Sequence, residues 1–440
     1  MGMLVPRLLS VFALVALTST TIAQQTKATK YFLEKTNIQI KPFSLQSARN
    51  GKLLTSNLEQ FRDLYADTKY LLTQQYYRDY KTNFKYIVDE GKMQPKIGAD
   101  VPFPCGTNNS RSLEPPTSVH RLRPGDIDII GAMGDSITAG TAMMSKTLLQ
   151  IFIEFRGQTV LGGGLKDWRT YLTLPNILKV FNPNLYGYSV ANTLAKFREA
   201  RFNPAEAFAT TQDMPYMAEV LVKRMQTDPK VDMLKHWKMI SIFIGANDIC
   251  NDMCYYDNIE DFLQNHRRDL HRALTILKEN IPRLLVNVIS IPNIDTTIRL
   301  MKGIPAQCET LHKASCRCVI SDSLSSKQLK AIRQNIQRFQ EIDTEVASLP
   351  EFQLEDFAAV PRALTVNKTL RTLKDGRTDL RYFAIDCFHF SQYGNAAFTN
   401  MFWNDMLQVK PEPYTTLLRP FEIFACPSEE RPYISTLANS

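Results

Sequence analysis

The stretch Asp126–Gly140, DIDIIGAMGDSITAG, decides the fold. Its first eight residues are a short apolar run that ends in a glycine turn, the signature of a buried strand. The following TAGTAMMSKTLLQIFIEF begins where a helix can start, so the pattern is strand, tight turn, helix. Glycines at 131, 134 and 140 are expected to let the backbone turn tightly and to leave the Ser136 hydroxyl uncovered. On this stretch alone Ser136 reads equally as a nucleophile or as a helix N-cap. A phosphate-cradling loop does not fit, because no G-x-x-x-x-G-K-[ST] pattern is present.

Working outward, KMISIFIG (238–245) and RLLVNVISI (283–291) are two more apolar, β-branched runs bounded by turn residues. Between them, Phe262, Leu270, Leu274 and Leu277 recur at helical spacing. Leu329, Ile332, Ile336, Phe339, Ile342 and Val346 do the same further on. Apolar strands alternating with amphipathic helices predict an α/β fold with a parallel sheet covered on both faces. Upstream, Leu58, Phe61, Tyr65, Leu72 and Tyr76 predict a helical extension, separated from the main domain by the Pro/Gly/Asn/Ser-rich VPFPCGTNNSRSLEPPTS. There is no internal repeat and no long low-complexity tract.

The composition, 44% hydrophobic and 22% charged, is that of an ordinary globular chain. A net charge of +8 over 440 residues, without a Lys/Arg block or aromatic–basic interleaving, argues against nucleic acid and reads as a solvated basic surface. MGMLVPRLLSVFALVALTSTTIAQ, with Arg7, an apolar run from Leu8 to Leu17 and a small-residue site after Ala23, reads as a secretory signal peptide. That run is short of the roughly 20 apolar residues a membrane span needs. No C-terminal anchor signal is apparent, so a secreted, extracellular protein without a transmembrane anchor is expected.

Eight cysteines, at 105, 250, 254, 308, 316, 318, 387 and 426, agree with export and disulfide formation, with connectivity open. A metal site on Cys250, Cys254, Cys316 and Cys318 is the lesser alternative, since no clean C-x-x-C pair occurs. The sequons at Asn108 and Asn367 are glycosylation candidates if exposed. The expected organisation is a signal peptide over 1–23, a helical extension over 24–100, the main domain over 101–427 and a tail over 428–440.

A nucleophilic serine needs a base, and there are six histidines. His236, His266 and His271 lie among charged neighbours and read as surface residues, while His120 and His312 have no obvious acidic partner. His389, in AIDCFHFSQYGN, follows Asp386 by three residues. That spacing lets the carboxylate reach Nδ1–H and leaves Nε2 for a hydroxyl. In SIFIGANDIC, Asn247 ends a strand, where it is either a turn former or an amide donor to an oxyanion.

Taken together, GDSI (134–137), GAND (245–248) and DCFH (386–389) resemble blocks I, III and V of the GDSL, or SGNH, hydrolases. TSVHRLRPGDIDIIGAMGDSITAG, LPNILKVFNPNL, HWKMISIFIGANDICN, DCFHFSQYGN and the cluster CETLHKASCRC are similar to stretches of the phospholipase B group of that family, over roughly residues 101–427. The resemblance implies a three-layer α/β/α, flavodoxin-like fold and ester hydrolysis with no cofactor and no metal. It implies Ser136 as nucleophile, His389 as base and Asp386 as its orienter, with the Ser136 N–H and the Asn247 amide serving the oxyanion. The implied substrate is a phospholipid or lysophospholipid at a lipid interface. One block departs: in FNPAEAFATTQDMP, Asn203 and Ala205 fit, but Phe208, followed by Ala209, stands where a glycine is expected. The Phe208 or Ala209 backbone is the candidate second oxyanion donor. A non-catalytic lipid-binding descendant, or a carbohydrate or general carboxylesterase, are the alternatives.

Overall fold

The computed structural model describes residues 59–407 and 415–439; the expected signal peptide and the first part of the extension lie outside the described residues. Four parallel strands form the sheet in the order β1 (Ile127–Gly134), β2 (Trp237–Phe243), β3 (Leu284–Ile289), β4 (Phe357–Arg362). In chain order, the α-helices are α1 (Glu59–Arg78), α2 (Tyr80–Asp89), α3 (Ser136–Ala139), α4 (Leu174–Phe181) and α5 (Met214–Thr227). They continue with α6 (Ile259–Asn280), α7 (Ile294–Arg299), α8 (Ala306–Ser315), α9 (Ser326–Ala347) and α10 (Gln392–Leu407).

Successive strand residues point to opposite faces, and every residue of β2 and β3 is buried, so both faces of the sheet are covered. On one side α6 packs against both α5 and α9, with α5 reaching β1 and α9 reaching β3 and β4. Phe398 of α10 stacks on Phe243 of β2, and Trp403 of α10 stacks on Phe181 of α4. The layering is α/β/α, as the resemblance implies. β4 was not singled out by pattern, because FAAVPR is short and contains Pro361. A proline is tolerated there since β4 is the edge of the sheet.

Beyond β1 the chain adds a rudimentary edge. Tyr186 bridges Ile129 in parallel, with Ile130 N–H donating to the Tyr186 carbonyl at 2.8 Å, and Ala132 N–H donates to the Phe202 carbonyl at 2.9 Å. The chain thus leaves β1 toward one side, returns, and continues to β2 on the other. This reversal is the topological switch point of an open α/β sheet, and the crevice at the carboxyl end of β1 is where such sheets bind ligands. Gly131 serves this edge rather than a turn, which corrects the sequence expectation. It sits inside β1 opposite Ile240, and a Cβ there would lie 3.0 Å from the Phe202 carbonyl.

All eight cysteines are paired, as 105–426, 250–316, 254–318 and 308–387. The four considered as a metal set are therefore consumed in two disulfides that staple the segment after β2 to the end of α8. Residues after Cys426 fold back: Ile434 is fully buried and its N–H donates to the Leu122 carbonyl at 2.8 Å, while Arg362 of β4 holds Ser435. Asn108 and Asn367 are both exposed. Among the described residues no helix is long and apolar enough to cross a membrane. Cys105–Cys426 closes a loop of 321 residues. Replacing both by alanine is expected to lower the unfolding free energy by about 2–5 kcal/mol, read from the urea midpoint.

Candidate active site

Ser136 is the first residue of the one-turn helix α3, directly after β1. Asp135 is the N-cap, its Oδ1 accepting the Ile137 N–H at 2.9 Å. The abrupt change of direction depends on Gly134, at φ 153°, where a Cβ would meet the Phe243 carbonyl at 2.2 Å. Gly140 closes the turn in the left-handed region, at φ 77°. Ser136 is therefore presented at the switch point with its N–H among the first helical donors, which have no carbonyl partner within the helix. Asp135, one residue before, is pushed up to about 6 by burial, against the opposing pull of the Ile137 hydrogen bond and of His389.

His389 lies in the loop before α10, and its Nε2 is 2.8 Å from Ser136 Oγ. Its Nδ1 is 2.5 Å from Asp386 Oδ2, while Asp386 Oδ1 accepts the Phe388 and His389 N–H groups at 3.1 Å each. With Nδ1–H donated to the carboxylate, Nε2 is the ring's acceptor and receives the serine hydroxyl. Three hydrogen bonds keep Asp386 charged although it is buried. Burial alone would raise its pKa, but His389 and these bonds hold it below the usual carboxylate value. Burial likewise pulls His389 down, yet the Asp386 charge and hydrogen bond, with Asp135 behind them, raise it above its ordinary value.

The loop itself is braced. Cys387 adopts φ 56°, a left-handed conformation uncommon for a residue with a side chain. It is fixed by its disulfide to Cys308 of α8 and by His312 Nε2, which donates to the Cys387 carbonyl at 3.1 Å. His312 is buried, which lowers its pKa and keeps it a neutral donor.

The third and fourth pieces meet at the end of β2. Asn247 Nδ2 donates to the Ala209 carbonyl at 2.8 Å, tying the GAND loop to the FNPAEAFATT loop. Within the latter, Ala209 N–H donates to the Glu206 carbonyl at 3.3 Å, closing a turn with Phe208 in its third position. Phe208 has φ 68° there, the conformation for which type II turns use glycine. The backbone that the sequence expects a glycine to provide is thus present, at a cost of about 1–2 kcal/mol for a residue with a side chain. Phe208 is 48% exposed and is not one of the buried core residues.

Strain of this kind persists only where the surroundings over-determine it, and here they do. Glu206 N–H donates to the Gly134 carbonyl, directly before the Ser136 turn. Arg156 holds the Asn203 and Ala205 carbonyls at 2.9 and 2.8 Å. Asp248 accepts the Thr211 N–H with both oxygens, at 3.0 and 3.1 Å. Its pKa is pushed up to about 8, by burial first and the neighbouring Asp252 second. Thr211 Oγ1 also meets His266 Nδ1 at 3.0 Å, and His266 Nε2 is 3.0 Å from Asp343 Oδ1.

The surface reading of His266 is thereby corrected: it is buried, with its ring stacked on Phe339 at 3.5 Å. The signal was its spacing of four from both Phe262 and Leu270, which puts it on the apolar face of α6. Asp248 stood next to a residue already singled out. Arg156 and Glu154 gave no sequence signal, because apart from each other their side-chain partners are 37 to 85 residues away.

A hydroxyl, imidazole and carboxylate stand here in hydrogen-bonded series at a switch point, an arrangement that can make the hydroxyl nucleophilic. Residues 130–402 match the model of the GDSL-like lipase/acylhydrolase family, and the chain belongs to that family. It is 34% identical over 332 residues to membrane-associated phospholipase B1 of Homo sapiens, covering 74% of this chain and 22% of that one. The same protein of Mus musculus is 34% identical over 373 residues, 82% of this chain and 24% of that. The chain thus spans about a quarter of the length of these curated relatives. Among solved structures, a variant acetyl xylan esterase from Geobacillus stearothermophilus aligns with a TM-score of 0.31 at 14% identity, over 64% of this chain and 96% of that one.

Proposed function

We propose that the chain is a secreted serine ester hydrolase of the phospholipase B kind, cleaving acyl esters of phospholipids or lysophospholipids at lipid interfaces. The observation that carries it is the series Ser136 Oγ–His389–Asp386, with contacts of 2.8 and 2.5 Å. Ser136 attacks the ester carbonyl as its proton passes to His389 Nε2, and Asp386 stabilises the imidazolium. The imidazolium then gives that proton to the departing alkoxide, which leaves an acyl-serine. Water, deprotonated by the same nitrogen, attacks the acyl-serine; the fatty acid leaves and Ser136 regains its proton. The oxyanion of each tetrahedral intermediate is held by the Ser136 N–H, the Phe208 N–H and the Asn247 amide. Four disulfides are compatible with an extracellular setting.

A non-catalytic lipid-binding descendant rested on Phe208 misdirecting an oxyanion donor. The left-handed backbone at Phe208 and the half-exposed position of that residue favour the enzyme reading. Phe208→Pro deletes the N–H and imposes a negative φ, so kcat is expected to fall about 10²–10³-fold. Phe208→Gly keeps the donor and relieves the strain, and is expected to stay within about threefold of the wild type. Equal activity of the proline variant would remove Phe208 from the oxyanion site. Fatty-acid release from lysophosphatidylcholine, compared with acetate release from acetylated sugars, tests the substrate class. Preference for the acetylated sugar would overturn the phospholipase assignment.

A further inference from the structure

The helical segment that precedes the sheet takes no direct part in this chemistry, yet it reaches both halves of the site. Lys69 of α1 is 7% exposed, and its Nζ forms an ion pair and hydrogen bond with Glu154 Oε1. The other carboxylate oxygen of Glu154, itself buried, accepts from Arg156 Nη2 at 2.6 Å. Arg156 is fully buried and directs its other hydrogen bonds to main chain and one amide: Nε to the Thr193 carbonyl at 3.0 Å, Nη1 to the Asn203 carbonyl and Oδ1, and Nη2 to the Ala205 carbonyl. Asn203 and Ala205 open the loop whose strained turn carries Phe208. An unbroken series of charged groups therefore runs from α1 to the oxyanion loop.

The series is electrostatically closed. Burial would raise the pKa of Glu154, but the two cations flanking it hold it below its usual value, so the carboxylate stays charged between them. Without Lys69, one buried oxygen of Glu154 loses its partner, and such an oxygen gains by turning toward water. Turning it withdraws the acceptor that orients Nη2 of Arg156, and the grip on Ala205 loosens. A second brace from the same segment meets the start of α10, directly after the histidine loop. Tyr393 N–H donates to the Lys92 carbonyl at 2.9 Å, and Gln94 N–H donates to Gln392 Oε1 at 2.7 Å.

We propose that α1 is a working part of the active site and that Lys69 is a positioning residue, holding the oxyanion loop through Glu154 and Arg156. This rests on the ester-hydrolase reading above for its kinetic arm. The test uses the full chain, a soluble short-chain p-nitrophenyl ester, and amide hydrogen exchange of the peptide spanning 203–211. Lys69→Met is expected to lower kcat about tenfold with KM within about twofold, because it misplaces a transition-state donor and leaves the binding surface intact. Exchange in 203–211 is expected to rise, and Lys69→Arg is expected to restore both readouts. If Lys69→Met folds poorly, Glu154→Gln replaces it, keeping the shape while cancelling the central charge, with the same drop and the same rise expected. Wild-type kcat and wild-type exchange in either folded variant would overturn the proposal. So would a kcat loss with unchanged exchange in 203–211. If the wild type hydrolyses no ester, the ester-hydrolase reading fails, and the exchange arm alone still decides whether Lys69 orders the loop.

Discussion

Ser136→Ala is expected to lower kcat for ester hydrolysis by roughly 10⁴–10⁶-fold and to abolish covalent labelling by a fluorophosphonate. The expectation is large because the hydroxyl is the one group whose bond to the acyl carbon replaces the scissile bond. No neighbour can substitute: Asp135 is turned to the Ile137 N–H as the helix cap, and Thr138, two residues on in α3, faces about 200° round the helix from Ser136. Residual activity should come from the oxyanion donors, which the substitution leaves in place. The fold should be unaffected, since the hydrogen bond of Oγ is to His389, and the Ser136 carbonyl still accepts the Thr141 N–H at 2.9 Å. Well-folded wild type that fails to label would sink the enzyme assignment outright.

Asp386→Asn is expected to cost about 10⁴-fold in kcat, with little loss of folded protein. The amide oxygen can still accept the Phe388 and His389 N–H groups that shape the loop. Its NH₂ group, however, can donate to Nδ1, which leaves Nε2 protonated and unable to take the serine proton. The pH profile gives an independent readout. His389 acts as a base only when neutral, so activity is full above its pKa and is lost as pH falls through it. In the wild type burial lowers that pKa and Asp386 more than compensates, so the acid limb lies above the ordinary histidine value. Removing the charge should move the limb to lower pH while the plateau falls. A variant within tenfold of wild type, with an unmoved limb, would remove Asp386 from the site.

What could be read in the sequence was what is local. The strands at 127, 237 and 284 are apolar runs buried on both faces, with only Asp128 partly exposed, and such runs stand out in any window. Asp386 and His389 share one turn of chain, so their contact is decided by spacing. Asn247 follows a strand directly. β4 was missed because an edge strand tolerates Pro361 and need not be a long apolar run. His266 was misread because its charged neighbours in sequence occupy the other face of α6.

The sequence by itself determined three of the four strands, the serine turn and the three-residue relation of carboxylate to imidazole, because each is signalled by a pattern within a few residues. Whether Phe208 could stand in a glycine's place was decided only by tertiary structure. A left-handed phenylalanine is unfavourable locally, and nothing near it in the chain offsets that cost. It is held by five residues from four other parts of the chain: the Gly134 carbonyl, Arg156, Asn247 with Asp248, and His266. The Ser136–His389 contact, across 253 residues, is of the same kind. Hydrogen bonds between distant segments exist only once the chain has closed around them, and here they turn a locally disfavoured backbone into a fixed one.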